Sequence, residues 1–149
     1  MNTGIVCAGH LIVDIVKIID DYPQQGMLVS IREEQQHGGG LVFNCLCNLN
    51  TLDPGLELHA LGLVGEDHYG DYILKKLSRR NINCEKIVTT EKTPTSYTDV
   101  MTVRNGQRTF FHMEGANSEL DIHHLINQKL RPRIFHFGYL TLLKMLDRK

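Results

Sequence analysis

The first half of the chain alternates between two periodicities of hydrophobic residues. Runs rich in Val and Ile predict strands, and apolar residues at helical spacing predict helices. In order, the predicted elements are a strand, turn and strand within 5–19, an exposed strand at 27–36, a helix at 41–52, a strand at 56–64 and a helix at 69–80. Strands that alternate with helices are typical of an α/β sheet with crossover helices.

Turn and capping residues support these boundaries. A break at Gly9–His10 separates the first two strands, and Asp53-Pro54-Gly55 ends the first helix because proline cannot continue it. Asp67 is a candidate N-cap for the second helix, because its side chain can accept hydrogen bonds from the first backbone amides.

The second half of the chain is richer in strands and turns. It predicts strands at 84–89, 97–104 and 107–112, a short helix that ends at Leu130 with Ser118 or Asp121 as its cap, a strand at 133–139 and a helix over 140–149. Asn105-Gly106 lies between two β-prone runs and is a strong hairpin signal, because both residues tolerate a positive φ. The last helical pattern has no stop signal. We therefore expect an unfinished sheet, a fragment or truncated product, and poor solubility in isolation.

The composition of the chain mainly excludes classes of partner and location. Of the 149 residues, 42% are hydrophobic and 22% charged, and 16 Lys and Arg oppose 17 Asp and Glu. The resulting net charge of -1 predicts no nucleic-acid partner, which would need a clustered positive surface. No apolar run approaches the roughly 18 residues of a membrane span, so no membrane partner is expected. The N-terminus has no secretory pattern, which predicts a cytoplasmic protein with reduced thiols.

Several site classes lack their sequence patterns. Cys45 and Cys47 have no second pair of ligands, and the histidines show no metal spacing, so the cysteines are interpreted as small buried helix residues. Neither a nucleophile elbow nor a P-loop occurs. Gly38-Gly39-Gly40 does not match the dinucleotide pattern, which leaves a nucleotide-binding oxidoreductase as a weak third hypothesis. A shift of the melting temperature by NAD would favour it.

Some residues could carry chemistry when taken one by one. The glycines at 38–40 let backbone amides approach an oxygen-rich ligand, although such a run also serves as a hinge. Asp14 is a carboxylate in an apolar run, so it either caps a turn or lies in a polar cleft. Asn44 by itself is more readily a satisfied polar group of the core. Asp67 by itself indicates a helix start.

Taken in order, five segments resemble the ribokinase family, the PfkB-type carbohydrate kinases. The segments are Gly9 with Asp14, the glycines and Asn44 of 38–44, the G-x-D-x-x-G pattern within 61–70, the passage from Thr93-Pro94-Thr95 through Arg108 and His112 to Gly115-Ala116-Asn117, and the strand at 134–140. Together they span almost the whole chain in the family's order.

The resemblance implies a fold and an activity. The fold is α/β, a ribokinase-like doubly wound sheet with a small β lid formed by approximately 14–36 and 93–114. The activity is transfer of the γ-phosphoryl group of ATP to a sugar hydroxyl, with the lid excluding water as it closes. The implied lid residues are Thr95, Arg108, Phe111 and His112.

The resemblance also implies a sugar site. Asp14 would hold sugar hydroxyls through charge-assisted hydrogen bonds, Gly39 and Gly40 would bring backbone amides against the sugar, and Asn44 would add a side-chain contact. Ribose-specific members carry Asn and Lys at two positions that are Ile12 and Leu41 here. Another sugar, or a polyol-like substrate, is therefore expected.

The family's second half has no counterpart in this sequence. That half carries the G-A-G-D motif with the anion hole and catalytic Asp, the N-x-x-E motif near magnesium and most of the ATP pocket. ATP and Mg²⁺ are thus implied, but no catalytic or metal-binding residue is assigned in this chain.

Two hypotheses remain open. In the first, the chain is the N-terminal half of a sugar kinase. In the second, it is a truncated, non-catalytic module that binds sugar or dimerises, and the resemblance implies that a homodimer would form through the lid.

Overall fold

A parallel β-sheet forms the centre of the molecule. The computed structural model describes residues 4–126 and 131–146, and these form two four-stranded sheets. Sheet A is entirely parallel, in the order β5-β4-β1-β8, with strands β1 (Ile5–Gly9), β4 (Leu58–Gly65), β5 (Asn83–Thr90) and β8 (Ile134–Gly138). Its central strands are buried on both faces, as in sheets covered by helices.

Two helices cover sheet A and supply its main core. They are α1 (Gly40–Leu52) and α2 (His68–Ser78), and a short third helix, α3, spans Ile122–Ile126. Val42 and Leu46 of α1 are fully buried against β1 and β4. Cys45 and Cys47 lie on this helix as the sequence predicts, but they are only partly buried against the same core. Leu52 ends the predicted apolar stripe but is 82% exposed, because α1 finishes beyond the edge of that core.

Sheet B is the second layer and has mixed pairing. Its order is β3-β2-β6-β7, from β2 (Ile12–Ile19), β3 (Ile31–Gly39), β6 (Tyr97–Val103) and β7 (Arg108–Met113). β2 pairs in parallel with β6, and the two outer pairings are antiparallel. β3 begins and ends later than predicted, because antiparallel pairing with β2 places the first two glycines of the run 38–40 inside the strand.

Four segments connect the two sheets, and hydrogen bonds tie them together. The side-chain amide of Asn117 bonds both backbone groups of Leu11, and its backbone N–H donates to Ser96 Oγ at 3.1 Å. Gly9, Gly40 and Gly115 stand at three of these crossings, each with a positive φ. For residues with a side chain this conformation is costly, so glycine is required there.

The Asn105-Gly106 hairpin is confirmed, with a different turn. Gly106 has φ +85°, whereas Asn105 keeps a negative φ. The Val103 carbonyl accepts from the Gly106 amide at 2.8 Å, and the Val103 amide donates to the Gln107 carbonyl at 3.1 Å. A longer loop with one glycine in the left-handed region thus replaces the predicted two-residue turn.

The C-terminal region departs most from the sequence prediction. The helix expected over 140–149 is wrong: Leu140–Leu142 and Lys144–Leu146 are two separate 3₁₀ turns, and 147–149 lie outside the described residues. Leu143 between them is fully buried in a small cluster, and its backbone (φ -108°, ψ 72°) is not helical and interrupts a helix. Asp121, rather than Ser118, caps α3 by accepting from two backbone amides, while the predicted end at Leu130 lies outside the described residues.

Asp67 is the confirmed N-cap of α2, and it bonds a second segment as well. Its Oδ1 accepts from the backbone amides of Tyr69 (3.0 Å) and Gly70 (2.9 Å) and from the Thr95 hydroxyl (2.8 Å). Its Oδ2 accepts from the Thr95 amide at 2.7 Å. Burial acts to raise the pKa of Asp67, but these hydrogen bonds outweigh it, and the pKa lies below its usual range.

Replacing Asp67 with Ala is expected to lower the free energy of unfolding by about 2–4 kcal/mol, because it removes a helix cap and leaves the Thr95 amide without its acceptor. A lowered pKa means that the carboxylate stabilises the fold above the unfolded pKa and loses that effect as pH falls through the folded value. The difference between variant and wild type should therefore shrink below about pH 4.

Urea unfolding at neutral and acidic pH measures both effects. Asp53→Ala is the matched control, because Asp53 Oδ1 accepts one exposed bond from the Gly55 amide. Equal losses for the two variants would contradict a special role for Asp67.

Within the described residues, no helix has the length and hydrophobicity needed to cross a membrane.

Candidate functional site

A cleft lies between sheet B, the start of α1 and the segment after β8. Its volume is about 400 Å³. The lining combines apolar and aromatic side chains with a few polar groups: His10, Ile12, Asp14, Gly40, Asn44, Thr98, Phe110, His112, Tyr139 and Leu142. Concave, mainly apolar sites with a few convergent polar groups are typical of small-molecule binding.

Asp14 provides the carboxylate of this cleft. It lies on β2 and pairs in register with His37 of β3 and Thr98 of β6. Burial raises the pKa of Asp14, and the positive potentials of His112 and His37 partly oppose that shift. The sequence left open whether Asp14 caps a turn or faces a cleft, and its position in the lining supports the cleft.

Gly39 leaves the space that Asp14 occupies. A Cβ atom on Gly39 would lie 2.2 Å from Asp14 Oδ2, closer than any side chain could tolerate. Gly39 is the last residue of β3, directly before α1, so strand and helix approach the carboxylate without an intervening side chain. The absence of a side chain at this position thus keeps the carboxylate accessible.

Gly40 and Asn44 bring the beginning of α1 to the cleft. Gly40 has φ +83°, and a Cβ atom there would lie 2.4 Å from the His10 carbonyl oxygen. Asn44 follows one turn later and is exposed at the cleft. The interpretation of Asn44 as a buried core group is therefore wrong: the core side of α1 belongs to Val42, Phe43 and Leu46.

Histidine and tyrosine rings form one wall that the sequence did not reveal. His10 is almost fully buried between the first two strands, and its ring centroid lies 5.6 Å from that of His112 and 6.1 Å from that of Tyr139. Burial, followed by the positive potential of His112, lowers the pKa of His10 to about 4. His10 is therefore neutral at physiological pH. Only long-range pairing brings these rings together: the family resemblance implied His112 alone, and no local pattern could identify His10 or Tyr139.

The four residues expected in a lid occupy different places. His112 lines the cleft from β7, as does its neighbour on the same face, Phe110. Phe111 points to the opposite face by strand alternation and is 56% exposed, and Arg108 begins the same strand, exposed. Thr95 lies outside the cleft lining and is fully buried, accepting from the Gly65 amide at 2.9 Å. Its contacts hold the crossing into β6 against α2.

The described residues do not assemble a magnesium site. Among residues 4–126 and 131–146, no group of three or more His, Cys, Asp or Glu side chains is placed to hold a metal ion. Asp14 is a single carboxylate between imidazoles, whereas Mg²⁺ prefers several oxygen ligands in octahedral arrangement. The described side chains of this chain therefore offer no oxygen-rich site for this ion.

Comparison with known protein families shows the family to which the chain belongs. The model of the pfkB family carbohydrate kinases matches residues 2–146. The chain belongs to this family. The ribokinase resemblance of the ordered segments is thereby confirmed, together with the α/β fold.

Two curated proteins of this kind are similar to the chain. One, named as a sugar kinase of Pyrococcus horikoshii, is 29% identical over 88 residues, which are 59% of this chain and 26% of that protein. The other, an ATP-dependent ribose-1-phosphate kinase of Halopiger xanaduensis, is 25% identical over 129 residues, 85% of this chain and 42% of that protein. The chain thus spans less than half the length of these pfkB relatives.

Solved structures share the fold. A nucleoside kinase of Methanocaldococcus jannaschii superposes with a TM-score of 0.74 at 20% identity, over 92% of this chain and 45% of that one. Arabidopsis thaliana ribokinase, complexed with ribose and ATP, gives a TM-score of 0.68 at 24% identity, over 78% and 37% of the two chains. At these identities the likeness concerns the fold alone.

Proposed function

We propose that this chain supplies the sugar-binding half and the lid of an ATP-dependent sugar kinase. The observation that carries the proposal is the half-buried carboxylate of Asp14 in the cleft, kept accessible by Gly39 and facing the start of α1. A carboxylate is a strong acceptor for hydroxyl groups, and the surrounding apolar surface suits the faces of a sugar ring.

In the proposed reaction, a sugar hydroxyl oxygen forms a bond to the γ-phosphorus of ATP while the bond from that phosphorus to the bridging oxygen breaks and ADP leaves. Mg²⁺ would neutralise the developing phosphate charge. This chain's own residues act on the acceptor. Asp14 accepts hydrogen bonds from sugar hydroxyls, and Ile12 with Phe110 excludes water. Gly40 and Asn44, which line the cleft, orient the ring, and the amide of Gly39, which lies beside Asp14 but outside the lining, would add a contact.

In this proposal, sheet B is the lid. It corresponds to the segments expected to form it, at approximately 14–36 and 93–114. Sheet B supplies Asp14, Thr98 and His112 to the cleft, whereas Asn44 comes from a helix on sheet A. Ile12, in place of the Asn of ribose-specific members, removes one polar partner and favours a substrate other than ribose.

A calorimetric screen of sugars and polyols against the 149-residue chain tests the binding half of the proposal. We expect one substrate class to bind at micromolar to millimolar concentration, the usual range for enzyme substrates. Radiolabelled ATP and the bound sugar, supplied to the native product purified from its source, then test phosphoryl transfer. Absence of binding by any sugar, with the chain shown to be folded by circular dichroism, would exclude the proposal.

The alternative is a truncated, non-catalytic module that binds sugar or dimerises. It is supported by one observation: the residues that line the acceptor cleft and the edge strand β7 both belong to this chain. An antibody raised to this chain separates the two. A native band near twice 17.0 kDa favours the kinase, and a band at 17.0 kDa with sugar binding but no ATP turnover favours the module.

We also propose a homodimer through the lid. β7 has one strand neighbour among the described residues, and Phe111 and Met113 are exposed on the face away from the cleft. Phe111→Ser is expected to weaken dimerisation at least tenfold in sedimentation velocity. Leu52→Ser, which removes an even more exposed apolar side chain from α1, is the control. A monomeric wild type, or equal effects of both variants, would contradict the dimer.

A further inference from the structure

A polar row crosses sheet B on the cleft side. Register pairs Asp14 with His37 and with Thr98, and pairs Thr98 with His112, so the row runs His37, Asp14, Thr98, His112 over the four strands. Residues paired in register project from the same face of a sheet. Asp14, Thr98 and His112 line the cleft.

The spacing within this row suits a single sugar ring. Asp14 and His112 are separated by one strand, so their backbones lie about 10 Å apart, at roughly 4.8 Å per strand. Thr98 between them is short and lines the same cleft, although its neighbours leave it only 5% exposed. One carboxylate and one imidazole, both on longer side chains, therefore lie on either side of Thr98 in the cleft wall.

A hydrogen bond fixes the His112 ring. Thr98 Oγ1 and His112 Nδ1 are 2.9 Å apart. An imidazole has two nitrogens, and when Nδ1 is engaged by Thr98, Nε2 is the one available to a ligand in the cleft. The buried ring of His10, 5.6 Å away, supports the same side chain from the β1–β2 corner.

We propose that His112 is a specificity-determining residue of the sugar site, and that Thr98 is its positioning residue. Nε2 of His112 hydrogen-bonds a sugar hydroxyl on the side of the ring opposite to the hydroxyls that Asp14 holds. This inference rests on the proposed function, since it assigns a second polar contact within the same site.

Substitutions at His112 test the contact. His112→Phe keeps the ring but removes both nitrogens and should weaken binding of the best sugar about tenfold. His112→Gln can place an amide nitrogen near the position of Nε2 and should retain most of the affinity, whereas His112→Asn is too short and should not. Among deoxy analogues of that sugar, one should lose less than twofold on His112→Phe, because it lacks the hydroxyl concerned.

Substitutions at Thr98 test the positioning role. Thr98→Val removes the hydroxyl at nearly constant volume and should weaken binding several-fold, whereas Thr98→Ser restores the hydroxyl and the affinity. His37→Phe is the matched control: His37 neighbours Asp14 on the other side, lies 3.1 Å from Gln35 Oε1 and does not line the cleft. Its effect should stay within twofold.

The outcomes separate this inference from the function on which it rests. If wild type binds no sugar, both fail. If wild type binds a sugar and His112→Phe leaves its affinity unchanged, or lowers affinity for the sugar and every deoxy analogue by one common factor, the assignment of His112 alone is overturned.

Discussion

Asp14→Asn is expected to lower the affinity for the bound sugar by about a hundredfold or more. Asn retains one carbonyl acceptor but loses the charge and the second oxygen. Charge-assisted hydrogen bonds contribute about 1.5–3 kcal/mol each, and about 2.7 kcal/mol corresponds to a hundredfold. The variant should nevertheless fold, because Asn fits the space beside Gly39 that Asp14 occupies.

The same variant is expected to be at least as stable as wild type at neutral pH. The raised pKa of Asp14 means that folding favours its protonated form. The stability that this group contributes is present below the unfolded pKa and is lost as pH rises through the folded pKa. At neutral pH the carboxylate therefore opposes folding, and Asn removes that cost. Lost binding combined with retained or increased stability is the signature of a functional carboxylate.

Calorimetry with the sugar and thermal unfolding at neutral pH measure the two effects. Asp71→Asn, on the exposed side of α2 with Lys75 at 3.9 Å, is the control and should alter neither. Wild-type binding should weaken as acid protonates Asp14, beginning at a higher pH than for an ordinary aspartate. Undiminished sugar binding by Asp14→Asn would remove the basis of the proposed site.

Gly40→Ala is expected to lower the free energy of unfolding by about 3 kcal/mol or more and to abolish sugar binding. Two costs add. A residue with a side chain is strained at φ +83°, by about 1–2 kcal/mol, and the new Cβ would lie 2.4 Å from the His10 carbonyl oxygen. That carbonyl also accepts from the Val42 amide at 3.2 Å, so relieving the clash displaces the start of α1.

Gly106→Ala separates these costs. Gly106 has nearly the same φ, +85°, but a Cβ atom there would meet nothing within 4 Å. Its variant should show the conformational cost alone, about 1–2 kcal/mol, with unchanged sugar binding. Chemical unfolding of both variants gives the comparison. Equal losses would mean that the close approach of α1 to the β1–β2 corner does not contribute.

Local sequence patterns predicted the secondary-structure elements well, but they predicted poorly how the strands pair into sheets. The order of strands and helices, the Asp67 cap and the Asn105-Gly106 hairpin follow from residues close in sequence. Partition of the strands into two sheets does not, because β2 pairs with β6 across a long insertion and no local periodicity encodes that register. The C-terminal 3₁₀ turns replaced a predicted helix because burial of Leu143 overrides local spacing.

The candidate site shows the same division. Asp14 and the glycines were found because a carboxylate in an apolar run and glycines before a helix are unusual in themselves. Asn44 was found only through the family resemblance, since its apolar neighbours pointed to the core. His10 and Tyr139 were not found, because their sequence positions become neighbours only when β1 pairs with β8.

Because glycine-containing segments connect the two sheets, the width of the cleft depends on how the two sheets are oriented relative to each other. Asp14 is attached to sheet B and Asn44 to a helix on sheet A, so any rotation between the sheets changes the distance between these two side chains. The hydrogen bonds that join the crossing segments at Leu11, Ser96 and Asn117 would place the pivot of such a rotation at their level. A rotation of about ten degrees there would move the carboxylate by roughly 2 Å, because Asp14 lies three residues from Leu11 and a strand rises about 3.3 Å per residue. The width of the cleft would thus be set by backbone rotation at the connecting segments, and side-chain rotamers would change it only slightly.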